Sequence, residues 1–180
     1  MILKGKHMNE SKINKLVGKP ISVDLKNPKA IGSPGLILKS FVNHSDTNES
    51  MKIDSKCNIE RRPNGLILYS NYSNKRTAVP VPNDELKTIR IVRGKERIAP
   101  FPLSPMWILL KLGVSILKAR YFRVYRLNEY SIEEMTLELT TSKYEFQFIA
   151  NGYLFERQMQ FLKTLNAKEK LSFEFNKDHL

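Results

Sequence analysis

The chain has 180 residues, 41% of them hydrophobic and 27% charged, which suits one domain with an appended arm and a core needing neither disulfides nor metal. Thirty Lys and Arg residues against eighteen Asp and Glu give a formal charge of +12, which favours polyanionic partners without naming one. A lone cysteine, Cys57, excludes an internally stapled secreted scaffold and fits a cytoplasmic setting, and residues 1–8 lack the apolar run of a signal peptide.

Residues 1–50 read as an irregular arm. Pro20, Pro28 and the Gly32-Ser33-Pro34-Gly35 turn divide it, leaving room for one or two short strands at 21–25 and 36–42. Residues 43–50 are polar throughout, and the domain boundary is expected there. A run of short β-like segments follows at 52–60, 66–72 and 76–82, then Leu86–Arg93. Asn64-Gly65 is a hairpin signal, because both residues tolerate positive φ. Met135, Leu137 and Leu139 alternate with polar residues, and so do Tyr144, Phe146 and Phe148 beyond Thr141-Ser142. Period two on both sides of a tight turn predicts a half-buried antiparallel hairpin, 132–140 with 143–150. From Asn151 the period lengthens. Phe155, Met159, Leu162 and Leu165 form one apolar stripe, predicting an amphipathic helix over 152–166.

The catalytic inventory is thin. His7, His44 and His179 lie near the termini or in the polar stretch, outside any element that would fix their geometry. Cys57 alternates with Ile53 and Ile59 and reads as a small core residue. No glycine-rich phosphate loop, nucleophile elbow or paired Cys-x-x-Cys is present, so no catalytic residue, metal set or cofactor is expected.

The charge is unevenly placed: residues 86–126 hold ten Lys and Arg and one acid, Glu96. Within them, 101–118 (FPLSPMWILLKLGVSILK) is the most apolar passage. Pro105 opens a helix well, because its missing N–H is an orphan at that position anyway. A helix over 106–118 would be about 20 Å long against about 30 Å of bilayer hydrocarbon, too short to span. Lys111, Ser115 and Lys118 make a narrow polar stripe with Trp107 near its upper end. Such a helix either packs on the open end of the sheet with its lysines reaching water, or lies in a membrane interface. Residues 120–126 (RYFRVYR) interleave arginine with aromatics. Read as a strand, they put Tyr121, Arg123 and Tyr125 on one face, and Arg120, Phe122, Val124 and Arg126 on the other. An exposed aromatic-basic-aromatic face suits bases and phosphates.

Seven strands (52–60, 66–72, 76–82, 86–93, 120–127, 132–140 and 143–150) followed by one amphipathic helix resemble the pleckstrin-homology-like (PH/GRAM-like) superfamily in the order of elements. The resemblance implies a mainly β fold over 51–180. It would be a seven-stranded antiparallel, partly open barrel or sandwich capped by the helix at 152–166, with a short helical insertion between the fourth and fifth strands. The family's phosphoinositide binders carry basic residues around the first hairpin, where this chain has Lys56, Arg61 and Arg62. The expected function is a non-enzymatic binding or adaptor module, cytoplasmic or membrane-associated, meeting an anionic lipid surface or another protein. The alternative is a nucleic-acid-binding domain using 120–126. The binding residues expected are Arg61, Arg62, Trp107, Lys111, Lys118, Arg120, Tyr121, Arg123, Tyr125 and Arg126.

Overall fold

The computed structural model describes residues 1–5, 8–22, 31–45 and 47–175. The strand expected at 21–25, His7 and His179 lie wholly or mostly outside these residues. The fold is mainly β, with a few short helices around one large sheet. The sheet strands are β1 (Leu3–Lys4), β2 (Leu36–Asn43), β3 (Lys56–Arg62), β4 (Gly65–Tyr72), β5 (Lys75–Pro82), β6 (Leu86–Arg93), β9 (Met135–Thr141), β10 (Tyr144–Ala150) and β11 (Leu171–Phe175). They run in the order β1-β5-β4-β3-β2-β10-β9-β6-β11, antiparallel except for β11 beside β6. A second, two-stranded ribbon pairs β7 (Glu96–Ile98) with β8 (Tyr130–Ile132).

Several expectations change. Among the described residues the sheet has nine strands and does not close into a barrel. The stretch at 36–43, assigned to the arm, lies inside the sheet between β3 and β10. Its place follows from its alternation. Leu36 and Leu38 enter the core, and the register with β10 then slips at Lys39, between the pairs Phe148↔Leu38 and Gln147↔Ser40. That bulge inverts the phase, so Phe41 turns inward against the rings of Tyr144 and Phe146, with centroids 5.7 and 5.4 Å away.

Helix α1 (Glu10–Val17) also belongs to the supposed arm. Asn9 caps it by accepting the Ser11 amide, and Ile13 and Val17, one turn apart, bury on Ile67 and Ala78 of β4 and β5. Strand β4 is therefore covered on both faces: Leu66 and Leu68 point into the main core and Ile67 toward α1.

The β3–β4 hairpin forms where expected, yet its two turn residues are Pro63 and Asn64, and neither Asn64 nor Gly65 has positive φ. Positive φ falls instead on Ser73 and Asn74, the mirror-image turn that joins β4 to β5. The β9–β10 hairpin matches the alternation closely, with Met135, Leu137, Leu139, Phe146 and Phe148 all buried.

Helix α4 (Phe155–Leu162) follows a single 3-10 turn at Gly152–Leu154 and lays Phe155, Phe161 and Leu162 on the sheet. It is shorter than the 152–166 predicted. After Lys163 the bonding tightens to the 3-10 type, and the Thr164 hydroxyl donates to the Phe161 carbonyl (2.7 Å). The helix is also rotated from the expected stripe, since Gln158 is fully buried while Met159 is half-buried.

The insertion lies between β6 and β9, spanning residues 94–134. It carries the ribbon as a stem, with α2 (Pro105–Lys111) and α3 (Ile116–Ala119) above it. The strand expected at 120–127 does not form. Arg120–Phe122 and Tyr125–Leu127 are two 3-10 turns. Alternation of Arg with aromatics imitates period two, but these residues pair with no strand among the described residues.

Candidate functional site

The single helix expected over 106–118 is two helices, and the break has a clear cause. Gly113 adopts φ +79. Its amide donates to Leu110 O (3.0 Å), and the Val114 amide donates to Leu109 O (2.9 Å), the two bonds of a glycine-terminated helix end. At the other end of α2, Ser104 accepts the Trp107 amide (3.1 Å) and Pro105 occupies the first helical position, as the sequence predicted. Inward-facing residues make a satellite core of their own. Met106, Ala119 and Tyr130 are buried, and Ile98, Leu109 and Ile116 pack on them. The insertion therefore builds its own small head and does not plug the end of the large sheet.

Glu129 holds this head together. Its side chain is fully buried, and it accepts the Phe101 amide (2.9 Å), the Val124 amide (2.6 Å) and the Ser104 hydroxyl. Burial pushes the carboxyl up; the Ser104 hydroxyl and the two amides outweigh it and hold the group below the usual carboxylate range. Sequence reasoning passed over Glu129. The signal was present, because it is the first acid after a run of cations that extends from Arg97 to Arg126.

The stem is fastened to the main domain by backbone contact. A Cβ added at Gly94 or at Gly152 would lie 2.1 or 2.0 Å from the Glu133 carbonyl oxygen, so the chain passes between two glycines. The Tyr153 hydroxyl donates to the Tyr130 carbonyl (3.1 Å), tying the turn before α4 to β8.

The outer surface of the head is apolar to an unusual degree. Of the eighteen large hydrophobic side chains exposed among the described residues, ten fall between Phe101 and Leu127. Leu103 is 78% exposed and Leu112 73%, with Phe101, Ile108 and Leu117 also exposed. Phe122 and Val124, which a strand would have turned inward, are exposed too. Five cations lie among them (Lys111, Lys118, Arg120, Arg123 and Arg126), and residues 101–127 contain no acid. Leu103 also holds φ +67, a left-handed conformation that disfavours a branched side chain by about 1–2 kcal/mol.

The predicted binding residues therefore divide. Lys111, Lys118, Tyr121, Tyr125 and Arg126 are exposed on the head. Trp107 is half-buried, with Lys111 Nζ 5.6 Å from its ring centroid. Arg120 and Arg123 turn partly inward, toward a cavity of about 270 Å³ between the head and the start of α4. Arg61 and Arg62 line no part of that cavity and serve as braces. Arg61 donates to Thr164 O (3.1 Å), and Arg62, almost fully buried, pairs with Glu60 (2.7 Å) and reaches Asn14 (3.3 Å). Arg62 is thereby held inside the protein, whereas Arg61 is half-buried and its Nε has no hydrogen-bond partner among the described residues.

No helix among the described residues is long and apolar enough to cross a membrane. Comparison with known proteins finds no matching family model, curated protein or solved structure.

Proposed function

We propose that the protein is a non-enzymatic module that docks peripherally on an anionic lipid surface through the head, residues 101–127. The observation that carries this reading is the coincidence of exposed apolar side chains and acid-free positive charge on one short segment. A monomer rarely exposes a large contiguous apolar patch to water without a use for it. Aliphatic and aromatic side chains that enter the acyl boundary, with Lys and Arg at headgroup level, are the pattern of an interfacial anchor. Each cation near such a surface contributes about 1 kcal/mol. The resemblance to pleckstrin-homology-like domains belongs to the same proposal. It is supported by the order of elements from β2 to α4, with the insertion now between β6 and β9.

Trp107, the only tryptophan, reports on the head. Vesicles of phosphatidylcholine with phosphatidylserine should bind the protein and shift its emission to the blue, and neutral vesicles should not. Lys111→Glu with Lys118→Glu should weaken binding about thirtyfold or more, and Leu103→Asp with Leu112→Asp should abolish it without lowering the melting temperature. Equal binding to neutral vesicles, or none to either, defeats the proposal. Nucleic-acid binding with a steep salt dependence, and no vesicle binding, would put the alternative in its place.

A further inference from the structure

The cavity between the head and α4 is lined chiefly by arginine and tyrosine. Arg93, from the end of β6, pairs with Glu96, and its Nε is buried without a hydrogen-bond partner among the described residues. Arg120 donates one Nη to the Tyr130 hydroxyl (3.0 Å). Arg123 donates to the Arg120 carbonyl (2.9 Å) and lies over the Tyr125 ring, its guanidinium carbon 4.3 Å from the ring centroid, with the Tyr153 ring at 5.6 Å. Stacking on an aromatic face holds a guanidinium flat and leaves its edge N–H groups pointing outward, the orientation in which arginine grips an oxyanion. Neither Arg120 nor Arg123 meets a carboxylate among the described residues; Glu156 is the acid on the cavity wall. Three guanidiniums have therefore been brought together, Arg93 from β6, Arg120 from the first 3-10 turn of the head and Arg123 from the extended residues between the two turns. Among the described residues, the carboxylate paired with one of the three is Glu96, on Arg93.

We infer that this cavity takes a single phosphomonoester group, held by Arg93, Arg120 and Arg123, with the tyrosines closing over its small polar body. A volume of about 270 Å³ lies just under the usual range of ligand pockets, room for a phosphate and little more than a glycerol or sugar unit. The phosphomonoester of a lipid headgroup and that of a free metabolite share this chemistry. The position beside the docking face favours the lipid, and on that point the inference rests on the proposed membrane docking.

The test separates the two readings. Without membranes, millimolar glycerol 3-phosphate or inorganic phosphate should raise the melting temperature, and chloride at matched ionic strength should not. With membranes, phosphatidic acid vesicles should outcompete phosphatidylserine vesicles of equal net charge. Arg120→Gln with Arg123→Gln should remove both effects, while Leu103→Asp with Leu112→Asp should keep the soluble phosphate effect and lose vesicle binding. Because Arg123 also packs on tyrosines, Arg123→Lys is made in parallel. It keeps the charge but loses the flat donor edge, so a phosphate response reduced at least fivefold in a variant that melts normally supports the site. No response to either phosphate, or one matched by chloride, overturns the cavity. Vesicle binding indifferent to phosphatidic acid rules out the lipid as source. A soluble response without any vesicle binding keeps the site and makes a free phosphometabolite its ligand.

Discussion

The Ser104 hydroxyl donates to the Glu129 carboxylate across twenty-five residues of chain, while the same oxygen accepts the amide of Trp107. One buried acid thus fixes where α2 begins. Glu129→Gln keeps the volume but turns an amide toward groups that all donate. It should loosen the head by about 1–3 kcal/mol, read as faster amide exchange over residues 101–128 with the exchange of β9 and β10 unchanged. The pH dependence has a definite sign. The folded carboxyl titrates below its unfolded value, so its stabilising effect is complete above about pH 4.3 and is lost as pH falls through the folded value. Trp107 emission should shift to the red in that acid window, and in Glu129→Gln the shift should be absent. An emission profile shared by both proteins would show that Glu129 does not organise the head.

At the base of the stem, Gly152→Ala would drive a methyl group into the Glu133 carbonyl and should lower stability by about 1–3 kcal/mol. Gly35 is the control, since a Cβ there meets nothing within 4 Å, and Gly35→Ala should stay within about 0.5 kcal/mol of the parent. Equal melting temperatures for the two variants would mean that the stem is not clamped.

A chain beginning at Ser50 would lose β1, α1 and β2. It would uncover the outer faces of Ile67 and Ala78 and leave β3 and β10 without the strand between them. Such a chain should show no cooperative thermal transition. A sharp melt with native-like circular dichroism would place the N-terminal elements outside the folding unit.

Gln158 is fully buried on the inner side of α4, and neither amide atom finds a partner among the described residues. A buried polar group without a hydrogen bond destabilises by about 1–3 kcal/mol. Gln158→Met, similar in length and apolar, should therefore raise the melting temperature by about 2–4 °C for each kcal/mol recovered. A fall of similar size would reveal a partner for the amide.

What could be read from the sequence was whatever local pattern decides. The β9–β10 hairpin follows from side chains that alternate over seven residues on each side of a two-residue turn. Pro105 behind Ser104 marks the start of α2 in the same way. Partnership could not be read. Leu36 and Leu38 looked like a strand, but their place beside β10 depends on residues more than a hundred positions away. Residues 120–126 had the alternation of a strand and, among the described residues, no strand to pair with. Gln158 lies beside the apolar stripe that runs through Met159, so its burial depends on the docking angle of α4. The exposed surface of the head was half legible. Its charge and apolar content are compositional, whereas their outward direction is set by the satellite core around Tyr130.

The two ends of the insertion meet. The Glu133 amide donates to the Lys95 carbonyl (2.9 Å), and beyond that bond β6 and β9 are already antiparallel neighbours. An ordinary hairpin could join them in place of everything between. The head is thus a cassette spliced into a loop position, and scaffold and decoration are free to change separately in descent or in the laboratory. The same open sheet would accept the head or a bare turn at this position.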